Sequence, residues 1–236
     1  MSLKLSIVIP TFREVRNLEP VARAIEQALR DRHWAYEILF IDDDSGDGSE
    51  EVAALLADQM PARMIVRRGE KGLSTAVLRG LAEARGEIVV VMDADLSHPA
   101  ARIPDMVAAL DEHRHDFVIG SRYVEGGSLD PSWNWFRRLN SKIATWLALP
   151  LARIQDPMSG FFAFRRADTP PSHLLSPIGY KIGLELLVKG EFQRPGEVPI
   201  HFIDRVHGES KLTWKEQVRY LRHLRRLYQY RFPFLA

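Results

Sequence analysis

Ile88-Val89-Val90-Val91-Met92-Asp93-Ala94-Asp95-Leu96-Ser97-His98-Pro99 runs from an unbroken apolar stretch straight into two carboxylates. Short runs of this kind recur through the first 120 residues, at Leu5–Ile9, Ile38–Ile41, Met64–Val66 and Phe117–Ile119. Between them lie stretches of helical period, Leu18–Leu29, Val52–Met60, Ser74–Ala84 and Met106–Leu110. Apolar runs rich in Ile and Val that alternate with helices read as parallel strands buried on both faces, in a doubly wound α/β sheet. Ligands of such sheets bind beyond the carboxyl ends of the strands, so function is sought just after each run. The later chain is less regular. It predicts a helix over Trp133–Pro150, a strand over Phe161–Phe164, a helix over Ile182–Val188, a strand over Val198–Ile203 and a last helix over Trp214–Tyr228.

The first strand is followed by Pro10-Thr11-Phe12-Arg13-Glu14, and no glycine occurs between Met1 and Ile41. That removes the G-x-G-x-x-G turn of a dinucleotide-binding fold, and no P-loop pattern occurs anywhere. The second strand is followed by Asp42-Asp43-Asp44-Ser45-Gly46-Asp47-Gly48-Ser49. Asp47 with Glu50 reads as a helix-capping pair. Three adjacent carboxylates repel unless a positive or hydrogen-bonding group meets them. A turn role and a ligand role for Asp43 both stand at this point. The D-x-D of Asp93 and Asp95 follows the most apolar strand. On an extended segment its i, i+2 spacing puts both carboxylates on one side, where hard oxygens can hold Mg²⁺ or Mn²⁺. An isolated D-x-D would as readily cap the next helix through Asp95 or Ser97. Its place on the same sheet edge as Asp42–Asp44 decides for the ligand reading.

The chain has 236 residues, no cysteine, 46% hydrophobic and 27% charged residues, and a formal net charge of +1. These proportions fit one globular α/β protein and exclude a disordered tail, a collagen-like fibre and a disulfide-stapled module. Without cysteine there is no thiolate nucleophile and no Cys-based metal site, so a metal must sit on oxygen or imidazole ligands. A near-zero net charge argues against a nucleic-acid partner. The balance is uneven, however. From Arg205 onward eight Lys/Arg face two acids, giving +6 there and −5 before it.

Seven segments, in order, resemble the landmarks of the family 2 inverting glycosyltransferases of GT-A fold. They are the three quoted above, with Gly120-Ser121-Arg122-Tyr123, Asp156-Pro157-Met158-Ser159-Gly160-Phe161-Phe162, Gly179-Tyr180-Lys181-Ile182-Gly183-Leu184-Glu185 and Asp204-Arg205-Val206-His207-Gly208-Glu209-Ser210-Lys211-Leu212. The likeness covers about Ser6 to Lys211 and is strongest to the polyprenyl-phosphate (dolichyl-phosphate) mannosyltransferases. It implies a Rossmann-like, mostly parallel sheet, a GDP-mannose donor, a polyprenyl monophosphate acceptor and a divalent cation. Carried over by position, Pro10, Phe12, Glu14, Ile41 and Asp43 contact the nucleoside. Asp93, Ala94 and Asp95 hold the metal and the donor diphosphate, and Arg205 and Lys211 clamp that diphosphate. Phe12 stands where the family often has tyrosine. Ser97 stands where some relatives carry a glutamine ligand, and it joins Asp93 and Asp95 as the third expected metal ligand.

An acceptor phosphate is already ionised near pH 7, so no strong general base is required. What the reaction needs is stabilisation of the leaving diphosphate and the positioning of two anions. Arg137 and Ser141, at i, i+4 on the Trp133–Pro150 helix, and Arg122 after the fifth strand are expected to bind the acceptor phosphate. Arg122 is grouped with Asp93 and Asp95 as catalytic. The same fold with UDP-glucose or a saccharide acceptor, and a non-catalytic nucleotide-binding module, are the competing readings. The Q-x-x-R-W motif of processive synthases is absent.

A lipid-linked acceptor calls for contact with a membrane surface. No apolar stretch approaches the ~20 residues of a span, and no export signal precedes Leu5. A cytoplasmic, peripheral location is therefore expected, with a membrane-protein partner as a further possibility. On the last helix Trp214, Val218, Leu221, Leu224 and Tyr228 form an apolar stripe interrupted by Arg225, beside the basic Lys215, Arg219, Arg222 and Arg226. Trp133, Trp135, Phe136, Ile143 and Trp146 offer a second apolar surface. The chain divides on this reading into a catalytic domain, 1–212, and a basic amphipathic segment, 213–236.

Overall fold

The computed structural model describes residues 3–133, 135–176, 178–204 and 214–233. In chain order these form β1 (Leu5–Thr11), α1 (Val15–Leu29), β2 (Tyr36–Asp42), α2 (Ser49–Ala57), β3 (Ala62–Val66), α3 (Leu73–Glu83), β4 (Ile88–Val91), α4 (Ile103–Asp111) and β5 (Phe117–Ser121). The second half adds β6 (Ser128–Leu129), α5 (Trp135–Ala148), β7 (Phe162–Arg165), α6 (Ile182–Lys189), β8 (Pro195–Pro199), β9 (His201–Phe202) and α7 (Trp214–Arg231).

Seven strands make one sheet in the order β3-β2-β1-β4-β7-β5-β8. All neighbours are parallel except β7, which runs antiparallel to both β4 and β5. The strands read as continuous apolar runs because each face is covered. Ile88 and Val90 of β4, and Met92 just beyond it, pack with Leu18 and Ile25 of α1 and Ile103 and Met106 of α4. Val89 and Val91 turn the other way, toward Val77 of α3 and Leu184 and Leu186 of α6. Gly80 lets α3 approach β1 closely, since a Cβ there would stand 2.2 Å from a Val8 methyl carbon.

Two expectations need correction. The strand foreseen over Val198–Ile203 is two strands in two sheets. β8 begins earlier, at Pro195, and pairs with β5 as the edge of the large sheet, where proline is tolerated. After β5 the chain turns through Arg122–Gly127 and returns as β6. The incoming segment follows it: Ile200 donates to the Ser121 carbonyl (2.9 Å) and accepts from Ser128 N–H (2.9 Å), and His201–Phe202 pairs with β6.

The last helix docks through a face shifted from the foreseen stripe: Leu224 and Tyr228 of that stripe pack inward, and Leu221 does not. Tyr220, His223, Leu224 and Leu227 are buried, whereas Leu221 is 55% exposed. The hydroxyls of Tyr220 and Tyr228 donate to the Ala144 and Leu147 carbonyls of α5 (2.6 and 2.8 Å). A tyrosine whose hydroxyl finds a carbonyl buries as readily as a leucine, and Tyr220 stands outside the foreseen stripe. Arg219, Arg222, Arg225 and Arg226 are all exposed. Among the described residues no helix is long and apolar enough to cross a membrane.

Candidate active site

The carboxyl ends of β1, β2, β4 and β5 share one edge of the sheet, and the loop leading into the antiparallel β7 arrives at the same edge. At the β2 end the three aspartates separate into different tasks. Asp42 accepts from Thr11 Oγ1 (3.1 Å), Ser45 N–H (2.8 Å) and Ser45 Oγ (2.6 Å), so it shapes the turn. Asp44 sits at φ +57° and is exposed. Asp47 does not pair with Glu50. It accepts from Val15 N–H (3.2 Å) and Ser49 N–H (3.1 Å), tying the starts of α1 and α2 together. Asp43 is buried against Arg67, whose Nε donates at 2.8 Å and whose Nη2 adds a second bond, while Gly72 N–H donates to the other oxygen at 2.6 Å. The repulsion within the acidic cluster is thus relieved from inside the protein, by an arginine 24 residues downstream that the sequence reading passed over.

Phe12, half-buried beside this cluster, is flanked by Arg13 and Lys71, whose charged groups lie 5.3 and 5.1 Å from its ring centroid. Glu14 accepts from the Asn17 side-chain amide, and Ile41 is fully buried in β2.

Beyond β4 the chain bends instead of running on extended, with Leu96 at φ +64°. Asp93 stays about one-third exposed, while Asp95 is buried. Asp95 Oδ1 accepts from both the N–H (3.1 Å) and the hydroxyl (2.6 Å) of Ser97. Ser97, buried and with its proton committed, orients Asp95. His98, unnoticed in the sequence, fixes the other carboxylate's backbone: its Nδ1 accepts from Asp93 N–H (3.0 Å), leaving the hydrogen on Nε2, 3.9 Å from Asp93 Oδ2. The imidazole stacks on Phe161 (5.3 Å). Burial lowers its pKa against the pull of Asp93 and Asp95, so it stays neutral. Gly160 backs the loop, where a Cβ would meet His98 at 3.4 Å and both Asp93 oxygens at 3.8 Å.

No group of three or more His, Asp or Glu that could hold a metal occurs among the described residues. The donor set is two hard carboxylates on one bend, Asp93 about one-third exposed and Asp95 with one oxygen bonded to Ser97. That set fits a Mg²⁺ or Mn²⁺ ion completed by phosphates and water.

Arg122, at the end of β5, is clamped by Asp156. Its Nε and Nη2 donate to the two carboxylate oxygens (2.7 Å each), and its backbone N–H adds a third bond (3.0 Å). Asp156 is fully buried, and its own N–H and that of Gln155 are held by Glu197 of β8 (3.0 and 2.7 Å). Nη1 of Arg122 is the donor Asp156 leaves unused. Lys181, half-buried, donates to the Met158 carbonyl (2.7 Å). Burial and the neighbouring Arg122 cation bring its pKa down to about 8, against Asp156 and Asp93. Asp156 and Lys181, which the sequence shows only within landmark segments, and Glu197 thus form the surroundings of Arg122.

Arg137 and Ser141 lie on α5, as expected. Ser141 shares a hydrogen bond with the Tyr123 hydroxyl (2.9 Å). Arg137 lies 3.8 Å over the Trp133 ring and pairs with Asp204. One aromatic side chain joins the two halves: Phe202 meets His98 (5.9 Å), Trp133 (5.7 Å) and the Arg122 guanidinium (5.6 Å). Asp93, Asp95, Arg122, Arg137 and Ser141 are therefore linked through His98, Phe202, Trp133 and Tyr123. Arg205 and Lys211 lie outside the described residues.

The family model for Glycosyl transferase family 2 matches residues 6–169. The dolichol-phosphate mannosyltransferase of Pyrococcus furiosus is 46% identical over 95% of this chain, which spans 64% of that relative's length. The dolichol-phosphate mannosyltransferase of Saccharomyces cerevisiae is 40% identical, over 98% of this chain and 90% of the relative. Among solved structures, glucosyl-3-phosphoglycerate synthase from Mycobacterium tuberculosis, in complex with Mn²⁺, UDP-glucose and phosphoglyceric acid, superposes with a TM-score of 0.68 at 21% identity. The match covers 97% of this chain and 79% of that one, a likeness of fold.

Proposed function

The chain belongs to glycosyl transferase family 2, and from that membership we propose that it transfers mannose from GDP-mannose to a polyprenyl (dolichyl) monophosphate. An acceptor phosphate oxygen forms the new bond to the anomeric carbon from the face opposite the leaving group. The bond from that carbon to the β-phosphate oxygen breaks, and GDP departs with the electron pair. The observation that carries this reading is the linkage of the Asp93/Asp95 bend to Arg122, Arg137 and Ser141 through Phe202 and Tyr123.

Phe12 offers its ring to the guanine base, with Arg13 and Lys71 beside it, and Asp43, Pro10, Glu14 and Ile41 bound the nucleoside pocket. Asp93 and Asp95, with the Ala94 backbone between them, would hold a divalent cation, which supplies neutralising charge for the departing diphosphate. Ser97 and His98 keep the two carboxylates in place. Lys181, Arg205 and Lys211 add positive charge on the diphosphate side. Arg137, Ser141 and the unused Nη1 of Arg122 receive the acceptor phosphate, a pairing of arginine and hydroxyl donors suited to that group.

The helix that carries Arg137 and Ser141 also turns an apolar face outward. Trp135 is 72% exposed and Trp146 69%, with Phe136, Leu139 and Ile143 between them. Such a face beside a phosphate site supports a peripheral position on a membrane surface, with the polyprenyl chain left in the lipid; the cytoplasmic side is part of the proposal. A membrane-protein anchor belongs to the same reading.

Incubation with Mn²⁺, labelled GDP-mannose and a polyprenyl phosphate should move label into the lipid phase. Asp95→Ala should abolish both that transfer and metal-dependent GDP binding. Label transferred from UDP-glucose but not from GDP-mannose would overturn the donor assignment.

A further inference from the structure

Arg137 already holds an anion. Its Nη1 and Nη2 donate side by side to the two oxygens of Asp204 (2.8 and 3.2 Å), the fork-on-fork geometry that guanidinium also offers to phosphate. The seat is built from the sequence side as well. Asp130, at the end of the β6 turn, accepts from Asp204 N–H and from Ser132 N–H (2.8 Å each). These bonds hold the Asp130 carboxyl well below its ordinary range, at about 2, so it stays an acceptor. The Trp133 ring lies beneath the guanidinium and fixes its plane. Yet both partners keep about a third of their side-chain surface in solvent, 30% for Arg137 and 37% for Asp204. An ion pair so placed is weak and can exchange its anion.

We propose that Asp204 is an internal stand-in for the acceptor phosphate, keeping Arg137 ordered on Trp133 until a phosphate group takes its place. The inference rests on the reading of Arg137 as an acceptor-phosphate ligand. It also assigns Asp204 a part in specificity. A phosphate dianion brings enough charge to displace a carboxylate from arginine, whereas a sugar hydroxyl brings none, so the pair favours phosphate acceptors over saccharide ones. Because the carboxylate competes with the acceptor, removing its charge should tighten acceptor binding, the opposite of what a purely supporting contact would do.

The test compares the full chain with D204N, D204S, R137A and the double variant D204N/R137A, each checked for an unchanged melting temperature. The probes are inorganic phosphate as inhibitor and a short-chain, water-soluble polyprenyl phosphate as acceptor. D204N and D204S should each lower the acceptor KM and the phosphate inhibition constant about fivefold, the scale of a partly exposed ion pair. R137A should raise the acceptor KM and erase the effect of D204N in the double variant. An acceptor KM raised or unchanged in both Asp204 variants, with R137A still impaired, would overturn the inference alone. An R137A enzyme with an unaltered acceptor KM would instead sink the acceptor-site reading on which it stands.

Discussion

Asp43 and Arg67 form a buried pair on which the β2 end depends, and each half has a different kind of value. Removing the cation leaves a buried carboxylate with, among the described residues, only Gly72 N–H to meet it. Breaking such a pair costs on the order of 3 kcal/mol, and Arg67→Met should lower the melting temperature by about 10 °C. Adding Asp43→Asn to that variant should restore most of the stability, because no charge is then stranded, while nucleotide affinity by calorimetry stays low. Recovery of both together would remove Asp43 from the nucleoside pocket. The carboxylates were legible in the sequence because they break abruptly from apolar strands. Their partners were not. Arg67, His98 and Asp156 become partners only when the fold closes 24 residues onto Asp43, brings a ring back onto Asp93, and folds 34 residues onto Arg122. Spacing along a strand says which side a residue faces, and carries no information about what meets it.

At the scale of elements, the strands of the first half announce themselves because burial on both faces makes them apolar throughout. The later elements do so less well, since β8 contains two prolines and α7 buries Tyr220 and His223 beside Leu224 and Leu227 while leaving Leu221 exposed. α7 is secured to α6 by a polar cluster. Glu185, fully buried, accepts from Lys189 Nζ (2.6 Å), Ser176 N–H (2.6 Å) and His223 Nε2 (3.2 Å). Burial pushes its carboxyl pKa up, but the bonds from His223, Lys189 and Ser176 outweigh it and bring the value down to about 2. A depressed carboxyl stabilises the fold above its ordinary titration range and loses that contribution as pH falls toward 2. The contribution is up to about 3 kcal/mol. Glu185→Gln should therefore be less stable than wild type at pH 7 in urea titrations, and the gap should narrow as pH drops from about 4.5. A gap that stays constant down to pH 2.5 would refute the assignment.

For the molecule as a whole, the formal charge of +1 conceals a negative body and a positive C-terminal region. Both the α5 apolar face and the exposed arginines of α7 can meet a bilayer, through different forces. Vesicle co-sedimentation separates them. Replacing Trp135 and Trp146 by serine should weaken binding to neutral and anionic vesicles alike, by tenfold or more on the scale of two buried aromatic side chains. Replacing Arg219, Arg222 and Arg226 by glutamine should remove only the preference for anionic lipid. Binding that ignored both sets of changes would remove the α5 apolar face and the α7 arginines from the membrane contact.

The placement of β7 also governs the order in which the molecule can be completed. β4 and β5 never pair with each other, and both neighbours of β5, namely β7 and β8, come later in the chain. A nascent polypeptide that has emerged only as far as Ser121 thus carries unpaired backbone groups along β4 and along both sides of β5. Such edges recruit other strands. The β4 edge and one side of β5 are capped only once Phe162–Arg165 has been made and slotted between them, so the span from Arg122 to Phe161 must be held aside until then. Ribosome stalling or truncation within that span should yield aggregation-prone fragments, whereas release shortly after Arg165 leaves β4 paired and β5 with a single open side.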